Sequence, residues 1–235
     1  MVGRCTVARE VALCGNAVRT HGGLVTLRIM PGDSGFVFVR DDTGVRLPAL
    51  LDNVIAVPNA TALGRDGRPE VFFTEHVLSA LAGLGYTDAE VHLEGDEVPL
   101  FDGSAAPIAA ALDEAGRADL DGELEPIIAP EPLAVESGDR RVVASPASAL
   151  RIDYTFDHPH PLIGRHVVAV TLDDYRERIA PARTFATTAE IEALTARGLI
   201  RGGSEDNLLV VHDDRLSAPL RDPSEFALHK EIGRA

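Results

Sequence analysis

The chain has 235 residues, 45% of them hydrophobic and 25% charged, with a formal net charge of −15. That length suits one large domain or two small ones with a substantial core, and the composition is that of an ordinary globular protein. So large a negative charge argues against a general nucleic-acid binder, which needs clustered Lys and Arg, but it leaves room for an anionic small molecule in a local basic pocket.

Cys5 and Cys14 are the only cysteines. They make neither a disulfide framework nor a CxxC zinc knuckle, and read as free thiols in a reducing compartment. Charges interrupt the apolar residues of the N-terminus, unlike a signal peptide. No apolar run approaches the roughly 18 residues of a membrane span. The expectation is a soluble, cytoplasmic protein.

In chain order, residues 4–13 alternate as a first strand. Glycines at 15, 22 and 23 mark a turn, and strands follow at 24–30 and 35–40. Residues 45–59 hold one or two short strands. The run Val71-Phe-Phe73 leads into a helix with Thr74 as its N-cap, apolar positions Val77, Leu78, Leu81 and Leu84, and Gly85 as its stop. Residues 89–93 alternate as a strand. Asp102-Gly-Ser104 turns the chain into a helix over 105–115 with Ile108, Ala111, Leu112 and Ala115 as its buried stripe.

Residues 116–130 are polar and aperiodic, which places a domain boundary near 118–128. Strands restart at about 132–137, 140–145 and 149–156. Asp157-His-Pro-His-Pro161 reads as a rigid loop and 165–172 as a strand, with a short helix from Asp173. A helix spans 187–197, a buried strand 207–211, and a final helix capped by Asp222, with Pro223 at its first position, runs to Ala235. Thr74-Glu-His-Val-Leu78 is echoed by Ser224-Glu-Phe-Ala-Leu228. After its helix the first half adds a strand and a second helix, so if the halves are copies the second lacks both.

Chemistry-bearing residues are sparse. Glu75 and His76 lie roughly 100° apart on a helix and can flank one site at its mouth, His as a metal ligand and Glu as a proton acceptor. Equally, Glu75 suits the positive helix end and His76 a half-buried polar role. His229 supplies a second imidazole on the last helix, but one turn on stand Ile232 and Gly233, which cannot ligate through their side chains. Lys230 can hold an anionic oxygen or be solvated. The Thr184 hydroxyl can donate to an oxyanion, and Gly202-Gly203 can bring backbone close to a ligand, though both also fit plain turns. His158 and His160 can contact a ligand or sit in an exposed loop. No P-loop, GxGxxG, GxSxG or HExxH pattern occurs.

Five stretches, T-E-H-V-L-S-A-L-A-G-L-G (74–85), E-V-P-L-F-D-G-S-A-A-P (97–107), A-R-T-F (182–185), R-G-L-I-R-G-G-S-E-D-N (197–207) and F-A-L-H-K (226–230), come in order over most of the chain. Together they resemble the UDP-3-O-acyl-N-acetylglucosamine deacetylases of lipid A biosynthesis. The resemblance implies an α+β fold of two similar two-layer α/β sandwich domains packed against each other, residues 1–122 and 123–235, the second incomplete and lacking its last strand and helix, with the site between them. It also implies one catalytic Zn2+ that serves hydrolysis of the N-acetyl amide of a UDP-linked acyl amino sugar.

By position, His76 and His229 resemble zinc ligands, Glu75 the general base, Thr184 the oxyanion stabiliser and Lys230 a helper near the carbonyl. Phe185, Gly202, Gly203 and His158, the last where the family carries an aromatic that stacks on uracil, resemble substrate-binding positions. Residues 186–211 correspond to the family's acyl-chain channel. The chain departs from the pattern at Gly233, where the family has an Asp ligand, at Arg19-Thr20-His21, where it usually has Gly-Leu-His, and in having no Gly-His-x-x-Asn motif, which carries the family's general acid. Three readings follow: a zinc deacetylase, a relative that binds acylated nucleotide sugar without turnover, and an N-deacylase of another substrate.

Overall fold

A computed structural model describes residues 1–232; residues 233–235, and with them Gly233 and the last residues of the expected terminal helix, lie outside the described residues. The first half runs β1 (Val2–Val7), β2 (Val11–Asn16), β3 (Leu24–Met30), β4 (Phe36–Arg40), β5 (Val45–Pro48), a 3-10 turn (Leu51–Asn53), β6 (Val54–Val57), β7 (Ala60–Arg65) and β8 (Arg68–Phe72). It continues with α1 (Thr74–Gly83), β9 (Ala89–Leu93), α2 (Ala106–Ala115) and β10 (Arg117–Leu124). The fold is α+β. A five-stranded sheet in the order β2-β3-β9-β4-β5 carries the main core, and β9 enters its middle, antiparallel to β3 and parallel to β4.

Alternation explains that sheet. Val25, Leu27 and Ile29 of β3 and Ala89, Val91 and Leu93 of β9 are buried, and they pack with Phe38 against Val77 and Leu81 of α1 and Ile108 and Leu112 of α2. Each Val, Leu, Ile or Phe among them contributes about 1.5–3 kcal/mol on leaving water. The opposite face carries charge: Arg28 pairs with Asp41, Arg46 with Glu90, and His92 sits between Asp41 and Glu90. A second sheet, β6-β7-β8, leads directly into α1.

The second half runs β11 (Leu133–Ser137), β12 (Arg140–Ala144), β13 (Arg151–His158), β14 (Gly164–Thr171), a 3-10 turn (Leu172–Asp174) and a wide π-type turn (Tyr175–Ile179). Then follow β15 (Phe185–Thr187), α3 (Thr188–Ala196), β16 (Leu209–Val211) and α4 (Glu225–Ile232). β11 pairs with β12 and β13 with β14, both antiparallel. β15 and β16 are parallel, and α3 lies in the crossover that a parallel pair requires. Ala227, Leu228 and Ile232 of α4 pack with Val168 and Val170 of β14 and with Tyr175 and Ile179.

Several expectations change. The aperiodic stretch after Gly116 is largely a strand: β10 pairs with β1 from Val7–Arg117 to Val2–Leu124, so backbone hydrogen bonding organises it where side-chain burial does not. The expected first strand is two, β1 and β2. Thr74 is not the N-cap of α1; Phe73 occupies that position in the left-handed region, φ 58°, and Thr74 is buried in the first turn with an Oγ1 that has no hydrogen-bond partner. Ala109, rather than Ala111, completes the buried stripe of α2. Asp222 caps Ser224 through its side chain, but α4 begins two residues after Pro223.

α1 meets the second half at Gly83. A Cβ there would overlap the ring of Tyr175, so glycine is required by the approach of the aromatic rather than by its own backbone angles. The Ser79 hydroxyl donates to Tyr175 Oη at 3.2 Å inside the same buried contact. Among the described residues, no helix is long and apolar enough to cross a membrane.

Candidate functional site

A cavity of about 550 Å³ opens between the first turn of α1, the β2–β3 loop, the β6–β7 turn, the β15–α3–β16 unit and α4. Glu75, His76, Thr184, Phe185, His229 and Lys230 all line it. They come from α1, the β15 strand and the residue before it, and α4, so three separated stretches of sequence converge.

The two imidazoles define the floor. The His76 and His229 rings stand 5.6 Å apart, centroid to centroid, at 47°. His229 Nδ1 lies 3.1 Å from the Ala182 carbonyl, an arrangement in which Nδ1–H donates and Nε2 keeps its lone pair. His76 Nδ1 is buried without a hydrogen bond of normal geometry. Burial lowers the His76 pKa to about 4, against smaller opposing effects of the Ser104 carbonyl and the Asp102 charge. Burial, with the neighbouring His76 and Lys230, lowers His229 well below the ordinary histidine value. Both rings are therefore neutral at pH 7, the form that ligates metals.

Glu75 faces the same space. Burial raises its pKa to about 7, against the opposing effects of its own backbone, Thr61 and Lys230. Its Oε2 is buried and has no hydrogen-bond partner. A carboxylate held near 7 is matched to accepting a proton at neutral pH. Lys230, exposed toward the cavity, holds its Nζ 4.7 Å from the centroid of Phe185, and burial lowers its pKa while Glu190 and Glu75 oppose that effect. It is the only lysine in the chain, against 21 arginines. That singularity is a sequence signal for the site.

Thr184 is fixed by its backbone: its N–H donates to the Gly103 carbonyl at 2.6 Å and its own carbonyl accepts from Leu209 at 2.9 Å. Phe185 sits edge-on to both Phe226 and His229. Asp102 accepts from the Ser104 backbone and hydroxyl and pairs with Arg221 at 2.8 Å, which braces the turn beside His76.

Three positions sit differently. His158 is not in the cavity wall; its ring lies 6.0 Å from Phe156, which in turn meets Phe185 edge-on. Gly202 and Gly203 also lie outside the wall. The close approach at Gly202 is to the Ala17 carbonyl and Gly22 of the β2–β3 loop, so the glycine locks two protein loops together. Asn59, Thr61 and Glu190 line the cavity although nothing in the sequence marks them, and Arg19, Arg197 and Asn207 join them from stretches compared with the family above. Their place depends on which distant segments meet.

The two neutral imidazoles are of the donor type zinc takes, and supply two of the three protein ligands of a catalytic zinc. Among the described residues no group of three or more His, Cys, Asp or Glu gathers in a metal-binding arrangement. One wall of the cavity, Ala186, Ala193, Leu194, Leu199, Ile200 and Leu208, is apolar and comes from the β15–α3–β16 unit.

Fold and cleft define the class: an α+β protein whose cavity sets two neutral imidazoles and a carboxyl raised to about 7 against an apolar wall. The family model described as UDP-3-O-acyl N-acetylglycosamine deacetylase matches residues 4–232. A UDP-3-O-acyl-N-acetylglucosamine deacetylase of Anaeromyxobacter dehalogenans is 38% identical over 234 residues, covering 97% of this chain and 75% of the relative. Proteins of the same name from Leptospira biflexa and Helicobacter pylori are 36% and 33% identical, covering 98% and 96% of this chain and 78% of each relative. The chain belongs to the UDP-3-O-acyl-N-acetylglucosamine deacetylase family.

Proposed function

We propose that this protein hydrolyses the N-acetyl amide of UDP-3-O-acyl-N-acetylglucosamine in lipid A biosynthesis, in the cytoplasm and with zinc as its cofactor. The observation that carries the reading is the convergence of His76, His229 and Glu75 on one cavity, both rings neutral and the carboxyl raised to about 7. His76 and His229 would hold the zinc, which when bound supplies Lewis-acid polarisation of the amide carbonyl. Glu75 takes a proton from the attacking water, and the protonated carboxyl can then return it to the departing amine. The Thr184 hydroxyl donates to the oxyanion, and the Lys230 ammonium adds charge stabilisation from the same wall.

The apolar wall from the β15–α3–β16 unit suits a 3-O-acyl chain, and its exclusion of water strengthens the polar contacts on the floor. Phe185 orients Lys230 and His229 beneath it. His158, reaching the cavity only through Phe156 and Phe185, acts as a flanking residue for the nucleotide. Gly202 and Gly203 serve the substrate indirectly, by holding the channel segment against the β2–β3 loop. The two-unit organisation belongs to the same proposal: α1 and α4 each carry a Glu in the first turn, and each sends a His, His76 and His229, into the cavity. The boundary between the units is placed at 122/123, within β10.

The test is acetate release from UDP-3-O-acyl-N-acetylglucosamine by protein purified without chelator. Turnover that disappears in Glu75→Gln supports the reading. Absence of acetate release in the zinc-loaded wild type overturns it.

A further inference from the structure

The β2–β3 loop is held by a carboxylate that takes no part in the chemistry above. Glu97 is fully buried and accepts from the backbone N–H groups of Val18, Arg19 and Thr20 at 2.5, 2.9 and 2.8 Å, and from the Thr20 hydroxyl at 2.9 Å. Three successive donors on one carboxylate fix the backbone of this loop, and Arg19 projects from it to line the cavity.

The guanidinium of Arg19 is itself held. It lies over the Phe72 ring, 4.9 Å from the centroid, and its Nη1 donates to the Pro58 carbonyl at 3.1 Å. The other edge, Nε and Nη2, has no partner among the described residues. That edge is the fork with which arginine takes two oxygens of one phosphate. Arg4, Arg183 and Arg221, by contrast, are paired with Asp88, Glu225 and Asp102. In a chain of net charge −15 an unpaired, pre-oriented guanidinium needs a reason.

The cavity supplies one. Its wall holds three cations, Arg19, Arg197 and Lys230, and none makes an ion pair among the described residues. Its carboxylates are Glu75, raised to about 7, and Glu190, which caps α3 through Thr187. The cavity is thus locally cationic within an acidic protein, and focuses an anion there.

We propose that Arg19 is a specificity-determining residue that grips the diphosphate of the nucleotide-sugar substrate through its Nε–Nη2 edge. This rests on the nucleotide-sugar reading above. Because Glu97 holds the loop through backbone atoms, changing the Arg19 side chain leaves the loop anchored.

Calorimetric titration of the zinc-loaded protein with UDP, uridine and inorganic pyrophosphate tests it, using wild type, Arg19→Gln and Arg19→Lys. Loss of a charge-assisted bidentate contact predicts that Arg19→Gln weakens UDP and pyrophosphate by about tenfold or more and leaves uridine unchanged. Arg19→Lys should fall between the two, and rising salt should narrow the gap. Equal UDP affinity in wild type and Arg19→Gln overturns the role of Arg19 while leaving the nucleotide-sugar reading intact. Equal weakening of uridine and UDP also overturns it, since that marks a general disturbance of the cavity. No UDP or pyrophosphate binding by the wild type removes the nucleotide-sugar reading, and this inference with it.

Discussion

Glu75 and Glu225 stand at corresponding places, each in the first turn of a helix that faces the other half of the molecule, and their carboxylates live in opposite surroundings. Glu225 is fully buried and saturated: Arg183 donates from its backbone at 3.0 Å and from its guanidinium at 2.7 and 3.1 Å, and the Arg221 backbone donates at 2.7 Å. Glu75 keeps one buried oxygen unpartnered. One carboxylate is saturated by its donors and the other keeps a buried oxygen free.

The two glutamines therefore separate. Glu225→Gln leaves Arg183 without its counter-charge and should cost about 3 kcal/mol or more of stability. Glu75→Gln removes a carboxylate whose ionised form is disfavoured by burial, so the metal-free protein should gain on the order of 1 kcal/mol at pH 8 while activity is lost. Urea unfolding of both variants checks this; equal destabilisation by the two would contradict the assignment.

Gly83 gives a packing prediction. Alanine in a helix interior ordinarily gains about 1 kcal/mol over glycine. Here the added methyl meets the Tyr175 ring, and overpacking of this kind costs roughly 1–3 kcal/mol. Gly83→Ala should lower the melting temperature, and Gly83→Ala combined with Tyr175→Leu should recover part of the loss. A stabilised single variant would mean that the interface gives way freely.

The pH dependence of the metal-free protein follows from three groups. His76 titrates near 4 in the folded chain and His229 well below its ordinary value. The unfolded chain therefore takes up histidine protons first as pH falls from about 6.5, and stability drops by up to about 1.4 kcal/mol per pH unit for each ring. Glu75 works the other way between 4.5 and about 7, because its folded form keeps a proton that the unfolded chain has lost. Two rings outweigh one carboxyl, so the melting temperature should fall from pH 6.5 toward 4.5, and His76→Gln should flatten the fall. A melting temperature that holds or rises over that window would contradict the neutral pair.

Much of the site was legible because local pattern and chemistry coincided. The helical spacing of Val77, Leu78 and Leu81 brings Glu75 and His76 to the mouth of α1, whereas His229 and Lys230 lie in the last turn of α4. Strands β3, β4 and β9 were legible from alternation. β7 and β8 were not, since Gly64, Gly67 and Pro69 break their pattern and a register shift separates Leu63 from Gly64. β10 was hidden because its partner, β1, lies over a hundred residues away and its own side chains are mostly exposed. Arg19, Thr61 and Glu190 reach the cavity only through tertiary packing, and nothing local marks Gly202 as the point where two loops touch.

Lys230 offers a chemical test, since it is the only lysine. Lys230→Arg keeps the charge but replaces a compact ammonium with a broad fork over Phe185, and should lower kcat by at least about tenfold. An amine-directed reagent should modify Lys230 and the α-amine alone, with UDP-3-O-acyl-N-acetylglucosamine protecting Lys230. Unprotected labelling, or wild-type kcat in Lys230→Arg, would remove Lys230 from the site.

The central claim is that His76 and His229 together form a zinc centre beside Glu75. Elemental analysis of protein purified without chelator, for wild type, His76→Ala and His229→Ala, tests it most directly. The wild type should hold about one zinc per chain, and both variants should lose it while the fold persists. Wild type without zinc, or zinc retained in both variants, would contradict it.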